Sequence, residues 1–140
     1  GPLKNALEND LDHIEPVETD STIAFSIGGG ISSYQGLTTL RESNGTAITV
    51  NDDTIRELQQ TLGETTGIYS EAAAVASVAG VRSLAMDGTI KEDDTVIALN
   101  TSTGLKDTEM TAETLPEVPT IEPDIDDLRV TLQTQYNVEI

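Results

Sequence analysis

Three short stretches of this 140-residue chain hold side chains whose types and spacing could do chemistry. In Gly28-Gly29-Gly30-Ile31-Ser32-Ser33, three glycines precede a serine-capped helix. Such a loop can expose backbone N–H groups to a phosphate at a helix N-terminus. The same residues also serve as a plain flexible turn, since they match neither a P-loop nor a dinucleotide fingerprint. The second stretch, Ser70-Glu71, opens a run of small residues, which puts a hydroxyl at the N-cap and a carboxylate at the positive end of a helix dipole. The third, Asn100-Thr101-Ser102-Thr103-Gly104, follows the apolar run Thr95-Val96-Ile97-Ala98-Leu99. In an open α/β sheet, the loop beyond a strand's carboxyl end is where ligands bind.

Other chemistries are excluded. The chain has no cysteine, so a disulfide framework, a thiolate metal site and a cysteine nucleophile are absent. His13, the only histidine, sits beside Asp10, Asp12 and Glu15 and reads as a surface residue rather than a ligand or base. The formal charge of −18, from 25 acidic and 7 basic side chains, leaves no basic face for nucleic acid or for an anionic membrane surface. The acids are spread along the whole chain, with few lysines and only one phenylalanine and three tyrosines. That pattern matches a haloarchaeal, salt-adapted (halophilic) surface better than a disordered acidic tail, because the apolar segments keep clear periodicity. No run of roughly 18 apolar residues is present, and no basic segment precedes an apolar one; the expectation is a cytoplasmic protein.

The elements that would position these residues follow from spacing. Leu3, Ala6 and Leu7 mark a short first helix, and Pro16 ends local regularity. Asp20 or Ser21 would cap a helical turn over Thr22 to Ile27. A helix is expected over Ser33 to Glu42 with Tyr34, Leu37 and Leu40 inward, then the Asn44-Gly45 turn. Thr46 to Val50 reads as a strand. Asn51-Asp52-Asp53 caps an amphipathic helix with Ile55, Leu58, Gln59 and Leu62 on one face, closed by Gly63 or Gly67. The helix Ala72 to Met86 is apolar nearly all round and small, as expected for a buried element that packs closely. Thr95 to Leu99 is continuous rather than alternating, as in a strand covered on both faces. Pro116, Pro119 and Pro123 mark a linker-like segment before a last helix from about Ile125 to Tyr136.

Taken together, Gly67-Ile68-Tyr69-Ser70-Glu71-Ala72-Ala73-Ala74, Asp87-Gly88-Thr89-Ile90, Asp94 to Leu99 and Gly104-Leu105-Lys106-Asp107 resemble the C-terminal part of threonine synthase. The likeness extends upstream through Pro16-Val17 and Ile27-Gly28 and covers residues 1 to about 110. That family consists of pyridoxal-phosphate enzymes of the tryptophan-synthase-β type (fold type II), lyases of threonine biosynthesis that convert O-phosphohomoserine and water to threonine and phosphate. The resemblance implies that Thr101 stands where the family's hydroxyl bonds the cofactor's pyridine nitrogen, and that Glu71 matches a glutamate near the active site. Read without the resemblance, Thr101 is a hydroxyl satisfying a turn and Glu71 a favourable N-terminal acid.

The departures from the family pattern are specific. Ala72 stands where the family has proline, Thr101-Ser102-Thr103-Gly104 replaces Thr-Gly-His-Gly, and Gly28-Gly29-Gly30 replaces Gly-Asn-Pro. None of Lys4, Lys91 and Lys106 sits in the context of the family's Schiff-base lysine, which belongs with the phosphate-binding loop upstream.

The expected fold is therefore α/β: a small, mainly parallel sheet containing Thr46–Val50 and Thr95–Leu99, flanked by helices, as the C-terminal part of the large domain of such an enzyme (residues 1–110), with an acidic proline-containing linker and helix over 111–140. Expected partners are the N-terminal portion of the enzyme or further copies of the chain. The chain alone is expected to be inactive, with no catalytic residue of its own. Two other functions remain open: a stand-alone binding, regulatory or dimerisation module that keeps the fold, and a binder of phosphorylated ligands acting through Gly28 to Ser33.

Overall fold

Local capping decides where most helices of the computed structural model begin and end; the structure describes residues 1–114 and 116–139. Helix α1 spans Pro2–Glu8, starting on a proline whose missing N–H costs nothing there. Helix α2, Tyr34–Glu42, is capped by Ser33, whose Oγ accepts from Gly36 N at 3.0 Å. It ends in a Schellman motif: Asn44 takes the left-handed conformation at φ 52°, and Gly45 N reaches back to Leu40 O at 2.7 Å. Helix α3, Asp52–Thr66, is capped by Asn51, whose side chain accepts from Thr54 N at 2.7 Å. Asp52 and Asp53 add negative charge in its first turn, and Gly67, at φ 72°, closes it. Helix α4 runs Ala72–Met86, α5 Thr108–Thr114 and α6 Ile125–Tyr136, with a 3₁₀ turn at Gly104–Lys106.

The core forms where α3 lies on α4. Ile55, Ala72, Val75 and Ala79 are buried there, joined by Ala24 from the preceding loop and Met110 from α5. The alanines of α4 let the α3 backbone come close, so a few medium side chains fill the space. Ile55 and Val75 are each no more than 1% exposed. Arg82 reaches Glu57 at 2.9 Å across the rim of the same contact. Burial of α4 is confined to its first half, since Arg82, Ser83, Ala85 and Met86 are exposed.

Several expectations are corrected. No strand forms among the described residues, so the parallel sheet of Thr46–Val50 and Thr95–Leu99 is not present; the one β contact is an isolated antiparallel bridge between Ser70 and Thr103. The reason is pairing: a strand exists only beside another, and neither segment meets a neighbour that answers its N–H and C=O groups. Thr95 to Leu99 is exposed throughout, Ile97 at 84%, instead of covered on both faces. Thr22 to Ile27 makes only a turn at residues 25–27, being too short to nucleate a helix before three glycines. Tyr34 does not face inward: it is 62% exposed, while Leu37 is buried. Ser70 is not the cap of α4; Glu71 is the N-cap residue and makes no side-chain cap bond.

Candidate functional site

The two stretches flanking the Ser70–Thr103 bridge are brought together by a pair of backbone hydrogen bonds. Glu71 N donates to Ser102 O at 3.1 Å, and Gly104 N donates to Tyr69 O at 3.0 Å. The head of α4 is thereby fixed against the loop that follows the apolar run. Glu71 and the Thr101 loop, far apart in sequence, become neighbours.

Three further interactions hold this junction. Gln59, buried on α3 at 2% exposure, donates from Nε2 to Ser70 O at 2.6 Å, tying the turn to the core. Tyr69 Oη lies 3.0 Å from Thr111 Oγ1, and Thr111 Oγ1 donates to Gly104 O at 3.1 Å, so α5 braces the loop from the other side. Gly104 is required by close approach: a Cβ there would lie 2.6 Å from Tyr69 Cδ1 and 3.0 Å from Ser70 O. No residue larger than glycine fits without displacing the tyrosine ring or the backbone.

Lys106 supplies the charge. Its Nζ is 3.4 Å from Glu71 Oε2 and 3.1 Å from Ser102 Oγ. Thr103 Oγ1 caps the 3₁₀ turn, accepting from Leu105 N at 3.4 Å. Thr101 is exposed, and its hydroxyl has no hydrogen-bond partner among the described residues. The arrangement sets a carboxylate–ammonium pair against the loop that carries the exposed Thr101.

Of the residues singled out by sequence, Glu71 and the Thr101 loop are brought together, whereas the Gly28 to Ser33 loop lies elsewhere. Gly28 and Gly29 line an open cavity of about 820 Å³ with Glu18, Asp20 and Asp52 on its wall and no lysine or arginine. Asp52 is held by Thr22 Oγ1 at 2.6 Å and Ile23 N at 3.1 Å. A phosphate placed there meets like charge, and the Ser33 hydroxyl is already used by its own helix. Spacing did not reveal the roles of Gln59, Tyr69, Lys106 and Thr111. The available signal was a glutamine on the apolar stripe of α3, one turn beyond Ile55.

The other lysines are engaged at the surface. Lys4 pairs with Glu8 at 3.6 Å and approaches Thr49 Oγ1 at 3.5 Å, and Lys91 donates to the Gly88 carbonyl. Among the described residues no cluster of metal-ligating side chains forms, and no helix is long and apolar enough to cross a membrane.

Residues 3–102 match the family model described as pyridoxal-phosphate dependent enzyme. The chain is 35% identical over 130 residues to threonine synthase of Methanosarcina acetivorans, covering 91% of this chain and 32% of that protein. It is 31% identical over 130 residues to threonine synthase of Methanocaldococcus jannaschii, again 91% of this chain and 32% of the relative. To threonine synthase of Halalkalibacterium halodurans it is 36% identical over 110 residues, 79% of this chain and 31% of the relative. The chain thus spans about a third of the length of the curated relatives it matches. The match over residues 3–102, most of the chain, shows that this chain belongs to the pyridoxal-phosphate dependent enzyme family.

Proposed function

We propose that the chain forms the C-terminal part of a threonine-synthase-type enzyme and supplies one wall of its cofactor site, for the conversion of O-phosphohomoserine and water to threonine and phosphate. The observation that carries this reading is the Glu71–Ser102 and Gly104–Tyr69 pin, which sets Glu71 beside the loop of Thr101. The similarity to three threonine synthases along most of the chain supports it.

The residues present fit part of the cofactor. Thr101 offers an exposed, unengaged neutral hydroxyl, the right chemistry for a hydrogen bond to a pyridine nitrogen. Pyridoxal phosphate, when bound, supplies an electron sink for bonds broken at the substrate amino acid. A hydroxyl, unlike a carboxylate, would not hold that nitrogen protonated, so Thr101 would temper the sink and bias which bond breaks. Glu71 adds a carboxylate beside the Thr101 loop, its charge balanced by Lys106.

The covalent lysine is assigned to another part of the enzyme. Lys4, Lys91 and Lys106 are each already engaged, by Glu8, the Gly88 carbonyl and Glu71 respectively, and this supports placing the covalent lysine elsewhere. The exposed run Thr95 to Leu99 is read as a strand awaiting its neighbours, contributed by that other part, and with them the parallel sheet would form.

The test is reconstitution. The chain alone, in concentrated potassium chloride, is titrated with pyridoxal phosphate, reduced with borohydride and mapped by mass; no single lysine should be labelled. Mixed with the upstream part of a threonine synthase, it should yield one adduct on the upstream polypeptide and release phosphate from O-phosphohomoserine. A stoichiometric adduct on this chain alone, or a folded complex without cofactor uptake, overturns the reading; the second result favours a stand-alone binding or dimerisation module.

A further inference from the structure

We propose that Lys106 is a positioning residue that clamps the Thr101 loop to the head of α4 by holding the Glu71 carboxylate and the Ser102 hydroxyl on one ammonium. The inference rests on the reading that this loop faces the cofactor ring.

The geometry comes from the 3₁₀ turn. Lys106 N bonds Thr103 O at 3.3 Å, which reverses the chain and returns the lysine side chain over Ser102, four residues back. Its Nζ then meets Ser102 Oγ at 3.1 Å and Glu71 Oε2 at 3.4 Å. Ser102 is held twice, through its hydroxyl by Lys106 and through its carbonyl by Glu71 N at 3.1 Å. Thr101, the preceding residue, has no side-chain hydrogen bond among the described residues, so the place of its backbone, from which the hydroxyl projects, depends on how firmly Ser102 is fixed.

Burial makes the pair unequal. The Glu71 side chain is only 15% exposed, whereas that of Lys106 is 64% exposed. Removing the ammonium leaves a largely buried carboxylate without its cation, and relief comes most easily if the head of α4 and the loop move apart. The neighbouring carboxylate is turned toward the head of α5, where Asp107 Oδ1 accepts from Met110 N at 3.1 Å. Because that relief comes from opening the junction between the loop and the α4 head, the effect belongs to the junction rather than to the α3–α4 core.

The experiment compares Lys106→Met and Lys106→Arg with the unaltered chain. In the full 140-residue chain, Lys106→Met should raise amide exchange at Glu71 and Gly104 by roughly tenfold, with little change in exchange across the α3–α4 core. Lys106→Arg should keep both amides within about twofold of the original. In the reconstituted enzyme, Lys106→Met should lower kcat roughly tenfold with KM within about twofold, and the arginine should restore kcat. Unchanged exchange at both amides in Lys106→Met overturns the clamp, as does unchanged kcat in an assembly that is active before substitution. An unaltered assembly that takes up no cofactor counts against the threonine-synthase reading, and exchange in the chain alone then decides the clamp.

Discussion

Gly104 shows how one residue's size sets the site. Its contact with the Tyr69 ring and the Ser70 carbonyl leaves no room for a methyl group. Gly104→Ala is expected to cost about 1–3 kcal/mol of stability, seen as a lower denaturant midpoint. His13 is a second residue-scale case. Its Nδ1 lies 2.7 Å from Asp12 Oδ1 and its Nε2 3.3 Å from Glu15 Oε1. The hydrogen bond to Asp12, then that to Glu15, holds the imidazole above its ordinary value of 6.5, and the same partner lowers Asp12. Because the folded value is the higher one, the contribution is fully present below 6.5 and is lost as pH rises through the raised value. An NMR titration of the ring proton should show a midpoint above that of a free histidine, and Asp12→Asn should bring it down.

At the scale of elements, what could be read from sequence divides by the range of the forces involved. Helices α1, α2, α3, α4 and α6 were legible because caps and periodicity are local: Ser33, Asn51 and Gly67 act within a turn of themselves. Thr46–Val50 and Thr95–Leu99 looked like strands by the same local criteria, yet pairing needs a partner that no described segment provides. The Lys106–Glu71 contact was illegible for a related reason, since it exists only once the Ser70–Thr103 bridge has formed. Glu71 and Thr101 could be named only through the resemblance to threonine synthase, since by themselves they read as a helix-head acid and a turn hydroxyl. The α3–α4 contact carries most of the burial, so Ile55→Ala is expected to cost about 2–5 kcal/mol, measured by urea unfolding.

Across the whole molecule, charge dominates. With −18 on 140 residues, self-repulsion opposes compaction at low ionic strength, and only 7 basic side chains offset it. Raising potassium chloride from about 0.1 M to about 2 M should lift the thermal midpoint by roughly 5 °C or more, since each kcal/mol is worth roughly 3–5 °C in a domain this size. A flat response across that range would remove the salt-adapted reading of the surface. The exposed apolar run at Thr95–Leu99 acts at the same scale, because repulsion between acidic copies opposes its association with itself most at low salt. Helix α6 buries none of its side chains, and the chain leading to it holds Pro116, Pro119 and Pro123. A protease cutting among those prolines would release a peptide that takes no core with it, and the remaining body should melt within about 2 °C of the intact chain. The carboxyl end can therefore be trimmed, tagged or fused to another protein with little effect on the α3–α4 core or on the Glu71–Thr101 junction.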